Sequence, residues 1–125
     1  DRACGEDCLA LDLWTPACDA ARRPLLVWIP GGAFATGAGS SPLYDGAALA
    51  RRGDVVVATL SYRVGALGFL YHTALGNGCA NRGLLDQLAA LRWIQRNIAA
   101  PGRAPDRRRR TPGAVCRNNF WSPGG

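Results

Sequence analysis

The sequence contains no lysine, so all 15 of its basic residues are arginine. We attribute this bias to a GC-rich coding sequence, because no physical demand on the protein requires lysine to be absent. The net charge of +6 is unevenly distributed. Residues 1–100 hold nine arginines against eight acidic residues, whereas residues 101–125 hold six arginines against Asp106. The basic character is therefore concentrated in the tail.

Long apolar runs are also absent. No stretch approaches the roughly 18 residues that a membrane-spanning helix needs, so we expect no membrane segment. The first residues, DRACGEDC, contain neither the basic region nor the apolar region of a signal peptide. We expect the chain to be a piece of a longer protein, with any targeting signal outside it. Localisation stays open, and secretion is one option.

Cysteine is present, but not in a metal-binding pattern. The sequence has five cysteines, an odd number, and no two of them form a C-x-x-C pair. They are Cys4, Cys8, Cys18, Cys79 and Cys116. This argues against a closed zinc site and against a disulfide framework confined to this chain. A disulfide to a residue outside the chain stays open. We expect no metal and no cofactor.

Hydrophobic patterning predicts alternating strands and helices. The apolar and β-branched segments 8–14, 24–29 and 54–60 are typical of strands, and the unbroken apolar run of 24–29 suits a strand buried on both faces. Apolar residues at steps of three or four predict a helix over 84–99, and a short helix is expected within 44–53. Buried strands separated by helices indicate an α/β fold with a mostly parallel sheet.

The second strand runs directly into a glycine-rich loop, PGGAF. Small residues at the end of a buried strand leave backbone N–H groups open to a ligand, and such groups can stabilise an oxyanion. Gly31, Gly32 and Ala33 are the candidates in this loop. A tight turn requires the same residue types, so the loop alone does not separate the two interpretations.

Four blocks of sequence together resemble the type-B carboxylesterases, a family of the α/β-hydrolase fold that includes the cholinesterases. The blocks are GEDCLALDLWTP, PLLVWIPGGAFATGAGSSPLYDGAALA, DVVVATLSYRVGALGFL and NRGLLDQLAALRWIQRNIAA. The resemblance implies a partial α/β-hydrolase domain over residues 1–100, with a mostly parallel sheet, flanking helices and an end before the nucleophile turn. It also implies a parent enzyme that hydrolyses small-molecule carboxylic esters through an acyl-enzyme intermediate on a serine.

The resemblance assigns Gly31, Gly32 and Ala33 to the oxyanion hole of the family. Pro30 departs from the pattern, since the family usually has His or Tyr there. Proline has no N–H and fixes φ, which puts the geometry of the loop in question. The candidate donors lie one to three residues further on, so this departure need not abolish the hole.

The resemblance also implies a structural ion pair between Arg63 and Asp86, which ties the loop after the third strand to the following helix. Ser61 stands where the family usually has Asn, and we interpret it as a strand-end residue and not as a nucleophile. The acids of the GEDC block, Glu6 and Asp7, match a motif whose arginine partner lies upstream of this chain.

A catalytic triad is missing from the sequence. The G-x-S-x-G motif of the nucleophile turn occurs nowhere in the 125 residues. The only histidine, His72, follows the GFL segment, and we expect a loop or surface role for it. We therefore assign no nucleophile, acid or base to this chain.

Residues 101–125 depart from the family pattern and are rich in arginine, proline and glycine. We expect them to lack regular structure, because they hold too few apolar residues to offset the entropy of ordering. One interpretation is a non-native reading frame or a truncated gene product. The other is a genuine tail whose Arg107–Arg110 run binds phosphates, although such runs are more often solvated.

Three functions stay open on these grounds. The favoured one is a fragment of a serine carboxylic ester hydrolase that supplies the oxyanion loop and is inactive alone. The second is a non-catalytic, cholinesterase-like interaction domain, and the third is a nucleic-acid binder with a basic tail. We expect a small-molecule ester as the ligand of the parent enzyme and no nucleic acid. The sequence defines neither the ester preference nor the oligomeric state.

Overall fold

A computed structural model describes residues 8–17, 19, 21–75, 80–98 and 116–119, the last four through their backbone only. The strands are β1 (Ala10–Trp14), β2 (Leu25–Trp28), β3 (Val56–Leu60) and β4 (Cys116–Asn119). The helices are α1 (Ala47–Gly53), α2 (Gly65–Phe69) and α3 (Arg82–Asn97), with short 3-10 turns at Pro42–Tyr44 and Thr73–Leu75. Among these helices, none has the length and apolar content that a membrane span requires.

The four described strands form one mixed sheet in the order β2-β3-β1-β4. β2 and β3 are parallel, whereas β1 is antiparallel to both β3 and β4. The predicted α/β class is confirmed, but the described part of the sheet is not mostly parallel. The apolar pattern of β1 did not reveal its direction, and β1 enters the sheet opposite to its neighbours β3 and β4.

Side-chain alternation along β1 and β3 divides the core into two layers. Leu11 and Leu13 face α3, and Trp14 faces α1. The layer under α3 contains Leu11, Leu13, Ala58, Leu60, Tyr62, Ala90 and Ile94. The layer under α1 contains Trp14, Ala50 and Val57. The sheet is therefore covered by a helix on each face, as sheets in α/β proteins are.

β2 is an edge strand of the described sheet, which corrects the prediction that 24–29 is buried on both faces. Leu26 is 45% exposed and Trp28 is 46% exposed. Within the described residues β2 pairs with β3 alone. The Trp28 ring finds partial cover against Tyr44, with the ring centroids 5.6 Å apart. A continuous apolar run identified the strand correctly but not its place in the sheet.

β4 lies in the segment for which we expected no regular structure, and for its four residues that expectation is wrong. The β4 backbone pairs antiparallel with β1, with Asn118 opposite Leu11. An unpaired strand edge accepts a short partner through main-chain hydrogen bonds whatever the partner's composition, so a low apolar content does not prevent a strand there. The rest of 101–125 lies outside the described residues, so the boundary at residue 100 stays a prediction.

The predicted helix over 84–99 is present as α3, which begins at Arg82 and ends at Asn97. Its buried residues are Gly83, Asp86, Ala90 and Ile94. The leucines that supplied most of the apolar periodicity are exposed instead, namely Leu84, Leu85, Leu88 and Leu91. The periodicity thus predicted the helix correctly without identifying its buried face. The short helix expected within 44–53 is α1, and the Asp45 carboxylate accepts a hydrogen bond from the Ala47 N–H beside its first turn.

Candidate functional site

The glycine-rich loop follows β2 directly and turns through left-handed backbone. Gly32 has φ +132°, and Ala33 and Phe34 follow at 52° and 60°. A Cβ atom on Gly32 would lie 2.2 Å from the Thr36 carbonyl oxygen, so no larger residue fits without moving the backbone. Two successive non-glycine residues in the left-handed region indicate local strain, which is often found at ligand-binding sites.

Every second backbone carbonyl of the loop accepts a hydrogen bond from another group of the protein. The Tyr62 hydroxyl donates to the Pro30 carbonyl at 3.0 Å. The Gly32 carbonyl accepts from the N–H groups of Ala35 at 2.9 Å and Thr36 at 3.1 Å. The Phe34 carbonyl accepts from the Gly65 N–H at 2.6 Å. These contacts fix the entry, the middle and the exit of the loop.

The backbone N–H groups of Gly31, Gly32 and Ala33 make no such hydrogen bonds within the described residues. No residue in the described part of the chain accepts a hydrogen bond from any of the three, and all three residues are exposed. A trans peptide places its C=O and N–H on opposite sides of one plane. The bound carbonyls of Pro30 and Gly32 therefore turn the N–H groups of Gly31 and Ala33 away from those contacts. The loop can donate hydrogen bonds to an acceptor outside the chain.

The far end of the loop is attached to β3 and the residue after it. The Ser61 hydroxyl oxygen accepts from the Gly39 N–H at 3.0 Å, and the Thr59 hydroxyl donates to the Gly39 carbonyl at 2.9 Å. Ser61 therefore contacts the loop through its side chain, which agrees with a strand-end role. The Ser61 hydroxyl oxygen is the acceptor in the hydrogen bond from Gly39.

Arg63 and Asp86 are in direct contact. Arg63 Nε donates to Asp86 Oδ2 at 2.7 Å and Nη2 donates to Oδ1 at 2.6 Å, a two-point pairing. The Arg63 backbone N–H also donates to Asp86 Oδ2 at 3.1 Å. The hydrogen bonds that Arg63 donates to the Asp86 carboxylate raise the pKa of the Arg63 guanidinium, against the opposing effect of partial burial. The pair joins the segment after β3 to α3.

Several sequence-based candidates lie elsewhere. His72 is exposed, and its Nδ1 accepts from the Ala74 N–H at 3.2 Å, a local contact within its own loop. Cys8 is exposed and forms no disulfide within the described residues. Glu6, Asp7 and the Arg107–Arg110 run lie outside the described residues. Across the described ranges, no group of three or more His, Cys, Asp or Glu side chains is placed to hold a metal ion.

Tyr62, Thr59 and Gly65 hold the loop and were not predicted from the sequence. The sequence signal for Gly65 was weak: it is one of several glycines after the third strand, and the structure places it at the start of α2 with φ +58°. Nothing in the sequence distinguishes the Tyr62 hydroxyl, because a tyrosine at the end of a strand is commonly a core residue.

Comparison with known proteins identifies the family. The sequence profile of the Carboxylesterase family matches residues 2–107. Para-nitrobenzyl esterase of Bacillus subtilis (strain 168) is 50% identical over 102 residues, which are 81% of this chain and 21% of that protein. Cholinesterase of Mus musculus is 50% identical over 100 residues, 80% of this chain and 17% of that protein.

Solved structures agree with the sequence comparisons. A crystal structure of a Geobacillus stearothermophilus carboxylesterase superposes with a TM-score of 0.72 at 53% identity, over 81% of this chain and 22% of that one. The chain therefore has part of an α/β-hydrolase fold, and it belongs to the carboxylesterase family. It spans about a fifth of the length of these relatives.

Proposed function

We propose that this chain is a section of a serine carboxylic ester hydrolase and that Gly31, Gly32 and Ala33 supply its oxyanion hole. The proposal depends on the hydrogen bonding of the loop. Its carbonyls at Pro30, Gly32 and Phe34 accept hydrogen bonds inside the protein, whereas no acceptor among the described residues binds the N–H groups of Gly31, Gly32 and Ala33. The ligand class is a small-molecule carboxylic ester, as the names of the relatives suggest.

The chemistry assigned to the loop is electrostatic. When a serine attacks an ester carbonyl, the carbonyl oxygen gains negative charge in the tetrahedral intermediate. N–H groups that are already oriented bind that oxygen more strongly than they bind the neutral ester, so they lower the barrier. Loss of one such donor typically reduces kcat by about 10²–10³-fold.

The chain on its own is proposed to be inactive. Its sequence contains no G-x-S-x-G, and its one histidine is engaged within a surface loop. The nucleophile, the base and the acid that orients the base would come from parts of the enzyme that these residues do not include.

A chimera tests the oxyanion role. The segment of Bacillus subtilis para-nitrobenzyl esterase that aligns with residues 8–98 is replaced by those residues, and kcat and KM are measured with a p-nitrobenzyl ester. We expect turnover, and we expect Gly32→Ala to lower kcat by about 10²-fold or more. Gly53→Ala is the matched control, because a Cβ there meets Val55 only at ordinary contact distances of 3.5 and 3.6 Å.

A chimera that folds without esterase activity would count against the proposal. So would a Gly32→Ala chimera with the same kcat as the Gly53→Ala control.

A further inference from the structure

Tyr62 follows β3 and places a polar group against the entry of the glycine loop. The residue is buried, and its ring belongs to the core layer under α3 together with Leu60 and Ile94. Its hydroxyl donates to the buried Pro30 carbonyl. We propose that Tyr62 is a positioning residue for the oxyanion loop: its hydroxyl holds the Pro30 carbonyl inward and thereby directs the Gly31 N–H outward. The proposal rests on the oxyanion role of that loop.

The direction of the Gly31 N–H depends on one peptide plane. The Pro30 carbonyl and the Gly31 N–H belong to the same peptide unit, which is trans, since the described backbone has no cis bond. Because the unit is planar, fixing the direction of the oxygen fixes the direction of the N–H. Pro30 is buried and Gly31 is exposed, which agrees with an inward oxygen and an outward N–H.

The Tyr62 hydroxyl restrains this peptide at its carbonyl oxygen. A Cβ on Gly31 would meet no atom within 4 Å, so no neighbour crowds the Gly31 Cα. Glycine also adopts positive and negative φ with similar ease. Within the described part of the chain, only the Tyr62 hydroxyl donates to the Pro30 carbonyl. A rotated peptide would direct a carbonyl oxygen outward, where it would repel an oxyanion.

The donor itself is held firmly. Tyr62 is bounded in sequence by Ser61, which accepts from Gly39, and by Arg63, which is paired with Asp86 on α3. The ring packs in the core whether or not it carries a hydroxyl, so the specific contribution of tyrosine over phenylalanine is the hydrogen bond to Pro30.

NMR on the full chain tests the orientation directly. Residual dipolar couplings report the direction of each N–H bond, and they are compared at Gly31 and at Ala90, a buried residue of α3. In Tyr62→Phe we expect the Gly31 coupling to lose its native value while the Ala90 coupling is retained. Tyr71→Phe, which removes a hydroxyl from an exposed tyrosine, should alter neither coupling. A native Gly31 coupling in Tyr62→Phe would overturn the proposal.

A second measurement needs no variant, so it is informative even if Tyr62→Phe does not fold. In the unsubstituted chain the Tyr62 hydroxyl proton should exchange slowly enough with water to give its own resonance. A hydroxyl proton in fast exchange with water would contradict the hydrogen bond on which the proposal depends.

The chimera separates this proposal from the esterase role. In an active chimera we expect Tyr62→Phe to lower kcat with little change in KM, and an unchanged kcat would overturn the positioning role. If the chimera is inactive while the Gly31 coupling still depends on Tyr62, the esterase role fails and the orientation by Tyr62 stands.

Discussion

At the scale of single residues, Asp86 is a buried charge that accepts several hydrogen bonds from one arginine. Three donors of Arg63 surround a carboxylate whose side chain is 5% exposed, whereas the Arg63 side chain is 31% exposed. A buried ion pair contributes little net stability, but removing one partner leaves the other charge without compensation. Arg63 retains some contact with water, which reduces that cost.

Asp86→Ala should therefore destabilise the fold by about 3 kcal/mol, the lower end of the range for a broken buried pair. The measurement is the free energy of unfolding from urea titration. Asp54→Asn is the control, since Asp54 is exposed, pairs with Arg23 at 2.7 Å and has a left-handed backbone that asparagine tolerates. The control should cost less than about 1 kcal/mol. Equal losses in the two variants would contradict this account of the pair.

The contact between Arg23 and Asp19 predicts a lowered pKa for the Asp19 carboxyl. Hydrogen bonding from Arg23, and then from the Ala21 N–H, lowers the pKa of Asp19 to about 2. Because the folded pKa is below the unfolded value of about 3.9, the contribution to stability is present above pH 4 and is lost as the pH falls through about 2. Asp19 is exposed, so that contribution is small.

A carbon-detected NMR titration of the Asp19 carboxyl should give a midpoint near 2 in the unsubstituted chain. Arg23→Gln should raise the midpoint toward the ordinary value for aspartate. A midpoint that does not depend on Arg23 would exclude this cause of the shift.

At the scale of elements, the strands and helices could be located from the sequence, but their positions in the sheet, their directions and their buried faces could not. The segments 8–14, 24–29 and 54–60 contain β1, β2 and β3, because alternation and β-branched residues reflect local backbone preferences. The edge position of β2, the direction of β1 and the buried face of α3 depend on tertiary neighbours. The glycine loop was identified by its resemblance to a family, whereas the Tyr62 contact joins residues 32 positions apart and leaves no local pattern.

The buried face of α3 gives a stability prediction. Ile94 is 3% exposed and Leu88 is 48% exposed. Ile94→Ala should lower the free energy of unfolding by about 2–5 kcal/mol, since it removes buried methyl groups and leaves a cavity under the helix. Leu88→Ala should cost well under about 1 kcal/mol in the same urea titration, as exposed positions usually do. A larger loss for Leu88→Ala would mean that the leucine face of α3 is covered in solution.

At the scale of the whole molecule, the described residues form a four-stranded mixed sheet with a helix on each face, and the candidate site lies at one end of β2. The chain covers about a fifth of its relatives, and its own sequence contains no nucleophile turn. Its proposed contribution to catalysis is therefore one part of an active site, the set of N–H donors that receives the developing negative charge.

The most direct test of this claim is the initial rate of p-nitrophenyl acetate hydrolysis by the purified 125-residue chain, measured beside Gly32→Pro. An enzyme that loses its triad but keeps the rest of its site retains about 10³–10⁴-fold acceleration over water. We propose that this chain holds only the oxyanion donors of such a site. We predict no saturable turnover above the buffer rate in either protein. Saturable turnover in the unsubstituted chain that disappears in Gly32→Pro would contradict the account, because it would mean that these residues contain a complete working site.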